Sequence, residues 1–429
     1  CPGTRCKPCR GTLHFRRAGT SPVILNAAKP PKPWAFVACH PERSEGSALC
    51  VREMDSCTST VSCENTSRMS ATLPHAQLKA FQKQLLRWFR AHKRDLPWRA
   101  SRDPYRVWVA EVMLQQTRIA AVMPYYDRFL KSLPDVEALA NATISKVLKL
   151  WSGLGYYSRA RNLHRAAKEI VQHRDGKFPR TLDAALELPG IGRYTAGAVL
   201  SIAYDVPLSV LDGNVARVLA RLRAVRGDLR EPRRWRELAN TAQDWLACNA
   251  PGDWNQALME LGEVICMPQI PRCKICPVSK WCRAYKLGLT GKVPAPRVKR
   301  ATVRIRIAAA ILLDPRGRTI LVKDPGAHDH VLFSRMWQFP AVEVTRRPQA
   351  ELQAHLRATL GIDSLTLTQL PIARHGVTFR NITLLPYLAH VKKLPKLPRT
   401  RILPLENLSH VPISNATRKL AASLEKVQM

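Results

Sequence analysis

Leu188-Pro189-Gly190-Ile191-Gly192-Arg193-Tyr194-Thr195-Ala196-Gly197 is the stretch on which the reading of this chain turns. Thr181 to Leu188 has the pattern of a capped helix stopped by Pro189, and Thr195 to Ala203 predicts a second, apolar helix. Gly190, Ile191 and Gly192 therefore fall in a tight turn between two helices. With no side chains at the glycines, the free N–H groups at the start of the second helix can come close to a phosphate. A lone Pro-Gly-x-Gly is only a turn. What raises it above that is Leu211-Asp212-Gly213-Asn214-Val215 a short way downstream, and a set of cysteines beyond.

Around the turn the pattern is helical. Leu78, Phe81, Leu85, Leu86 and Phe89 recur at helical spacing, as do Leu163, Ala166, Ala167, Ile170 and Val171, and nothing from 75 to 285 alternates as a strand does. An all-α domain is expected. Within it, Val107 to Thr117 carries Glu111, whose neighbours three and four positions away are Val107, Trp108, Leu114 and Gln115. Burial raises a carboxyl pKa, so Glu111 is a candidate general acid near neutral pH; a buried Glu paired with one of the many arginines explains the pattern equally well. Asp212 precedes a helical run, where free N–H groups and the helix dipole favour the ionised form. It is at least an N-cap. Two carboxyls pushed in opposite directions suit glycosidic cleavage, one protonating the leaving group and one facing positive charge on the sugar.

The chain of 429 residues is long enough for two or three domains, and 68 Lys and Arg against 32 Asp and Glu give a net charge of +36. Such a chain seeks polyanions, nucleic acid above all. No apolar run reaches membrane-spanning length, so a soluble, cytoplasmic chain with no membrane partner is expected. Residues 1 to 72 hold seven of the twelve cysteines without any sustained period, and read as disordered or as a spurious extension upstream of a start at Met54 or Met69. Cys6 and Cys9 lack a second pair at a fitting distance for zinc.

Cys266, Cys273, Cys276 and Cys282 stand in a C-x6-C-x2-C-x5-C spacing, with prolines forcing loops between them. Four thiolates this close can wrap one tetrahedral or cubane centre, and spacing alone does not separate zinc from iron–sulfur. After a basic linker at 291–300, the periodicity changes. Ala301 to Leu313, Thr319 to Lys323 and Ile382 to Val391 are strand-like, Pro348 to Leu360 is helical, and the tail after Asn415 reads as one amphipathic helix. An α+β domain over 301–429 is expected.

Residues 76 to 290 resemble the endonuclease III, helix-hairpin-helix superfamily, and within it the MutY-type adenine DNA glycosylases. Leu96-Pro97-Trp98-Arg99, Glu111 to Thr117, Trp151 to Tyr157 and Leu211 to Val215 stand in family order. Bifunctional members place a nucleophilic Lys before the Thr of the hairpin; Tyr194 stands there in this chain, which points to a monofunctional glycosylase. The resemblance implies a helical catalytic domain of a six-helix module (97–207) and a cluster module (208–290 with the N-terminal helix), and one 4Fe-4S cluster on the four cysteines. It also implies a C-terminal Nudix-like domain that reads 8-oxoguanine, on double-stranded DNA with A:8-oxoguanine or A:G mispairs, by a monomer associated with the bacterial nucleoid.

By the same resemblance, Glu111 protonates adenine at N7, Asp212 stabilises the oxocarbenium-like sugar through a transient covalent adduct, and Tyr194 and Asn214 hydrogen-bond these groups. Arg94, Trp98, Arg99, Gln115, Gln256 and Glu260 match the adenine pocket, and Gln116 and Tyr156 the side chains that fill or wedge the base stack. The recognition loop of the family reads Phe-Ser-His; here Thr378 and Phe379 take the Ser and His places, keeping a hydroxyl and losing an imidazole. Ala358 and Thr359 replace the paired glutamates of working Nudix hydrolases, so no nucleotide hydrolysis is expected. The rival readings are an endonuclease III-like pyrimidine glycosylase and lyase, and a non-catalytic iron–sulfur DNA-binding protein.

Overall fold

The computed structural model describes residues 73–296, 301–323, 336–363, 365–377 and 379–425. The expectations for residues 1–72, with Cys6 and Cys9, for the end of the basic linker and for Thr378 lie outside them. Among the described residues every element from His75 to Lys286 is helical and the first strand begins at Val303. The all-α and α+β halves thus follow one another as the periodicity indicated.

The helical half is built on two cores. One gathers apolar residues between Leu96 and Leu200, with Trp108, Phe129 and Trp151 fully buried. The other is closed by the His75–His92 helix, whose Phe81, Leu85 and Phe89 return to pack on Val218, Leu219, Trp245, Trp254 and Leu258. Phe81 makes edge contacts with Trp245 and Trp254 at 5.4 and 5.5 Å. Burying each such ring contributes roughly 2–3 kcal/mol, which is what ties the N-terminal helix to a module so distant in sequence. The Arg193–Tyr204 helix serves both cores, Val199 and Leu200 facing the first and Ala198 the second. Anything held at its start stands between the two lobes.

The described part of the linker, residues 291–296, packs back onto the helical half. Val293 is buried in the second core and its carbonyl accepts a hydrogen bond from Arg221 Nε at 2.8 Å. A buried guanidinium needs acceptors, and this backbone supplies one.

In the C-terminal half, Val303–Leu313 runs parallel to Arg380–His390, from Val303 opposite Arg380 to Leu313 opposite His390. It also pairs antiparallel with Arg318–Lys323 and Ala341–Glu343. Its side chains alternate between two apolar layers. Ala308, Ala310 and Leu312 share a core with Leu352, Leu356 and Leu360 of the Pro348–Leu360 helix. Ala309, Ile311 and Leu313 share another with Ala416, Leu420 and Leu424 of the Asn415–Glu425 helix. Burial on both faces explains why the strand reads as a continuous apolar run. Ala358 and Thr359 lie exposed on the Pro348–Leu360 helix.

Candidate active site

The Leu182–Leu186 helix and the Arg193–Tyr204 helix flank the turn quoted at the outset. Ile191 is buried and pins it. Gly190 has φ +79°, and a Cβ there would lie 2.5 Å from Asn162 Cβ, so glycine is required on both counts. Gly192 differs from expectation: its φ is −100° and a Cβ would meet nothing within 4 Å. Its N-cap position opens onto free space, so the turn geometry does not demand a glycine there, although the space leaves the helix start accessible.

Glu111 sits on the Pro104–Leu114 helix, which Asp103 caps through the N–H groups of Tyr105 and Arg106 and which Pro104 starts. The helix is buried nearly all round, so the carboxyl has no solvated face to turn to. Burial pushes its pKa up to about 7; the hydrogen bond it shares with Tyr194 opposes that rise, the Asp212 charge adds to it and the Arg99 charge lowers it. The Tyr194 phenol, raised by burial and by both carboxyls, also lies 3.3 Å from the Met259 sulfur. Glu111, Tyr194 and Asp212 thus form one electrostatically coupled group.

Asp212 is the N-cap of the Gly213–Arg223 helix and accepts from Val215 N–H at 2.7 Å. Its pKa is nevertheless raised, not lowered as a bare helix start would give. Burial outweighs the N–H groups of Val215 and Asn214 and the Arg217 charge, and Glu263 adds to the rise. The two acids are therefore pushed the same way, each with a cation pulling it back, Arg99 on Glu111 and Arg217 on Asp212, and only Asp212 has backbone donors besides. Asn214 contributes its backbone N–H to Asp212 while its side-chain oxygen accepts from Arg217 Nη2 at 2.9 Å.

Arg94, Arg99, Gln256 and Glu260 come together as one network. Glu260, 1% exposed, accepts from Arg94 Nε at 2.6 Å, Arg94 Nη2 at 2.9 Å and Arg99 Nη2 at 2.8 Å. Arg99 Nε donates to Gln256 Oε1 at 3.1 Å. Trp98 stands apart, in the first core and edge-on to Tyr126 at 5.4 Å. Gln115 donates to Thr195 Oγ1 at 3.1 Å. Gln116 and Tyr156 are both exposed and both left-handed, with φ +58° and +49°. Non-glycine residues held in that region mark places where the surroundings impose a shape.

The four cysteines line a single pocket with Val218, Arg221 and Val278. Burial raises the thiols of Cys273, Cys276 and Cys282, the second up to about 12. Among the described residues no three His, Cys, Asp or Glu side chains converge closely enough to hold a single ion. Arg221, 2% exposed, donates to the Cys266 sulfur at 3.3 Å and to the carbonyls of Cys266, Met267, Pro268 and Val293. A buried cation bonded to one of the sulfurs and lining the pocket suits an electron-rich, negatively charged occupant.

Residues 109–243 match the model of the HhH-GPD superfamily base excision DNA repair protein. The adenine DNA glycosylase of Mus musculus is 35% identical over 400 residues, covering 80% of this chain and 78% of the mouse protein. The chain belongs to the adenine DNA glycosylase family. The family's Rattus norvegicus member is 46% identical over 229 residues, 51% of this chain and 44% of that protein, and its Homo sapiens member 46% over 218 residues, 49% and 40%. As a member of this family the chain is a DNA N-glycosylase of base excision repair.

Three buried polar residues that brace the candidate site and the cysteine pocket carry no motif in the sequence. Arg159 donates from Nη1 to the carbonyls of Val112, Met113 and Gln115, and from Nη2 to Thr117 Oγ1 and Gly155 O. It closes the end of the Glu111 helix, and burial lowers its pKa to about 10. Its position four residues before Leu163 on an apolar helix face was the available signal. Arg221, three residues after Val218 on another apolar face, carried the same one. Asn255 is fully buried; it donates to Ser201 Oγ and Leu208 O and accepts from Val210 N–H, fixing the segment that leads to Asp212.

Proposed function

We propose that the chain excises adenine opposite 8-oxoguanine or guanine by acid-assisted cleavage of the N-glycosidic bond. The observation that carries this reading is the Glu111 carboxyl, raised to about 7 beside Tyr194 and Asp212. Near neutral pH a substantial fraction of Glu111 holds a proton to give to adenine N7 once the nucleotide has been swung out of the duplex. The C1′–N9 bond then breaks with its electron pair going to the base. Asp212, whose ionised form two backbone N–H groups favour, faces the positive charge left on the sugar, and water adds at C1′, its proton returning to Glu111. With Tyr194 in place of an amine, no Schiff base forms and the strand stays intact.

Arg94, Arg99, Gln256 and Glu260 would form one wall of the adenine pocket, and Gln116 and Tyr156 would occupy the gap in the stack. The pocket of Cys266, Cys273, Cys276 and Cys282 fits a 4Fe-4S cluster better than one zinc ion, because the thiols are spread round a cavity under a buried Arg221. Such a cluster would supply cross-linking of the loop that packs on the Asp212 helix, not chemistry at the sugar. The C-terminal domain, in which Thr378 and Phe379 follow Ala373–Val377 in sequence, would read the opposite base without hydrolysing nucleotides.

Single-turnover release of adenine from duplexes with 8-oxoguanine, guanine or cytosine opposite tests the reaction, the opposite-base preference and the monofunctional reading together. Release is expected to be fastest opposite 8-oxoguanine and slowest opposite cytosine, leaving a strand that breaks only on treatment with alkali. Equal rates would remove the opposite-base reading, and a strand cut without alkali would remove the monofunctional one.

A further inference from the structure

Ser152-Gly153-Leu154-Gly155-Tyr156-Tyr157 joins the Ile144–Trp151 helix to the Ser158–His173 helix and holds Tyr156 outward, 41% exposed. Gly153 and Gly155 have positive φ, which glycine adopts freely, but Tyr156 is left-handed too, a shape that its surroundings must maintain. From the helical domain, Arg159 binds Gly155 O at 3.2 Å, with its guanidinium 5.4 Å from the Tyr156 ring.

The other half of the loop is held from the C-terminal domain. Asn415 Nδ2 donates to Gly153 O at 2.7 Å, Arg418 Nη2 donates to Ser152 Oγ at 2.9 Å, and Ser152 Oγ donates to Ile413 O at 2.7 Å. Met336 of the same domain is buried in the first helical core. One turn beyond Asn415, Lys419 Nζ donates to Arg374 O at 2.7 Å, on the strand Ala373–Val377. Thr378 and Phe379, proposed to face the opposite base, follow that strand in sequence. A single helix thus touches both the outward tyrosine's loop and the recognition hairpin.

We propose that the Asn415–Glu425 helix is a rigid bridge that sets the position of Tyr156 from the C-terminal domain, making Asn415 and Arg418 positioning residues for adenine excision. The inference rests on the reading of Tyr156 as the side chain that enters the base stack. The contacts are short and polar, Asn415 meets the backbone of the loop and Arg418 its Ser152 hydroxyl, and the helix that carries them is anchored in the domain core through Ala416, Leu420 and Leu424. A shift of the hairpin on its target would be carried to the loop through Lys419, Asn415 and Arg418.

The test uses the full chain and single-turnover adenine release. Asn415→Asp keeps the side-chain size and places an acid in a helix's first turn, where the dipole favours it, while removing the donor to Gly153. Release is expected to fall about fivefold, the worth of one hydrogen bond, with no loss of melting temperature. In a Tyr156→Ala background the same change is expected to do nothing more, because the group being positioned is gone. Arg418→Gln is expected to slow release and Arg418→Lys, which keeps a donor for Ser152, to restore it. If the Asn415 and Tyr156 effects multiply, or Asn415→Asp runs at the wild-type rate while Tyr156→Ala is slow, the bridge is overturned and the wedge reading survives. If Tyr156→Ala alone changes nothing, the wedge reading fails and the bridge with it.

Discussion

Glu111 and Glu260 are both buried on helices of the catalytic domain, and they titrate in opposite directions. Glu111 lies among Val107, Trp108 and other apolar neighbours, with a phenol as its hydrogen-bond partner, and burial carries it up to about 7. Burial pushes Glu260 up as well, but the hydrogen bonds and charges of Arg94 and Arg99 outweigh it and hold the carboxyl below the usual range. Two buried carboxyls thus give a proton donor in one place and a fixed anion in the other. What differs is whether a guanidinium was brought within hydrogen-bond reach.

The widest separation between the two should be seen in chemistry. Glu111→Gln removes only the transferable proton, and single-turnover adenine release is expected to fall by roughly 10²–10⁴-fold, the range that general acid catalysis supplies. Glu260→Gln keeps a neutral acceptor for the two arginines and is expected to slow release far less. Comparable losses from the two substitutions would erase the distinction drawn here.

Stability should separate them with opposite signs. A carboxyl raised on folding contributes stability fully present below its unfolded value near 4.5 and lost as pH rises through about 7, so ionised Glu111 strains the fold at pH 8. Glu111→Gln is expected to stabilise the protein there by an amount on the order of 3 kcal/mol, shrinking to nothing near pH 4. Glu260 is the reverse case: its lowered pKa contributes stability above the ordinary carboxyl range that is lost as pH falls through its folded value. Glu260→Gln leaves Arg99, largely buried, facing no anion and is expected to cost roughly 2–4 kcal/mol at neutral pH. Thermal melts at pH 5 and pH 8 check both signs.

Much of this contrast was written in the sequence, but not evenly. The environment of Glu111 is local, set by residues three and four positions away on one helix, so its apolar neighbours could be read directly. The partners of Glu260 lie more than 160 residues earlier, and no periodicity links positions so far apart; only the family likeness pointed to Arg94 and Arg99. Asp212 was read correctly as a cap, yet its pKa direction was missed, because a helix start reveals its N–H groups and not how deeply packing will bury it. The hairpin was legible from Pro189 and Gly190, whereas the openness around Gly192 is a property of what surrounds it. The two halves of the chain were separable because helical and strand periods differ, but Val293 packing against Arg221 depended on a tertiary need for an acceptor.

The finest discrimination comes from Arg99, which belongs to both glutamates. It donates to Glu260 Oε2 and to the carbonyl of Arg94, and its charge is also among those that hold Glu111 down. Arg99→Gln keeps a planar donor for Glu260 but removes the charge. Glu111 should then hold its proton more tightly, and the fall in adenine release that accompanies its ionisation, expected as pH rises through about 7, should move to higher pH. The displacement is expected to be small, on the order of a few tenths of a pH unit, because the Arg99 charge is the weakest of the influences on Glu111 and acts across the pocket wall, not through a hydrogen bond. Its direction is what matters. A single-turnover pH profile in which the alkaline limb moves down, or stays in place while the melting temperature falls, would mean that Arg99 serves Glu260 alone and that the two glutamates are independent.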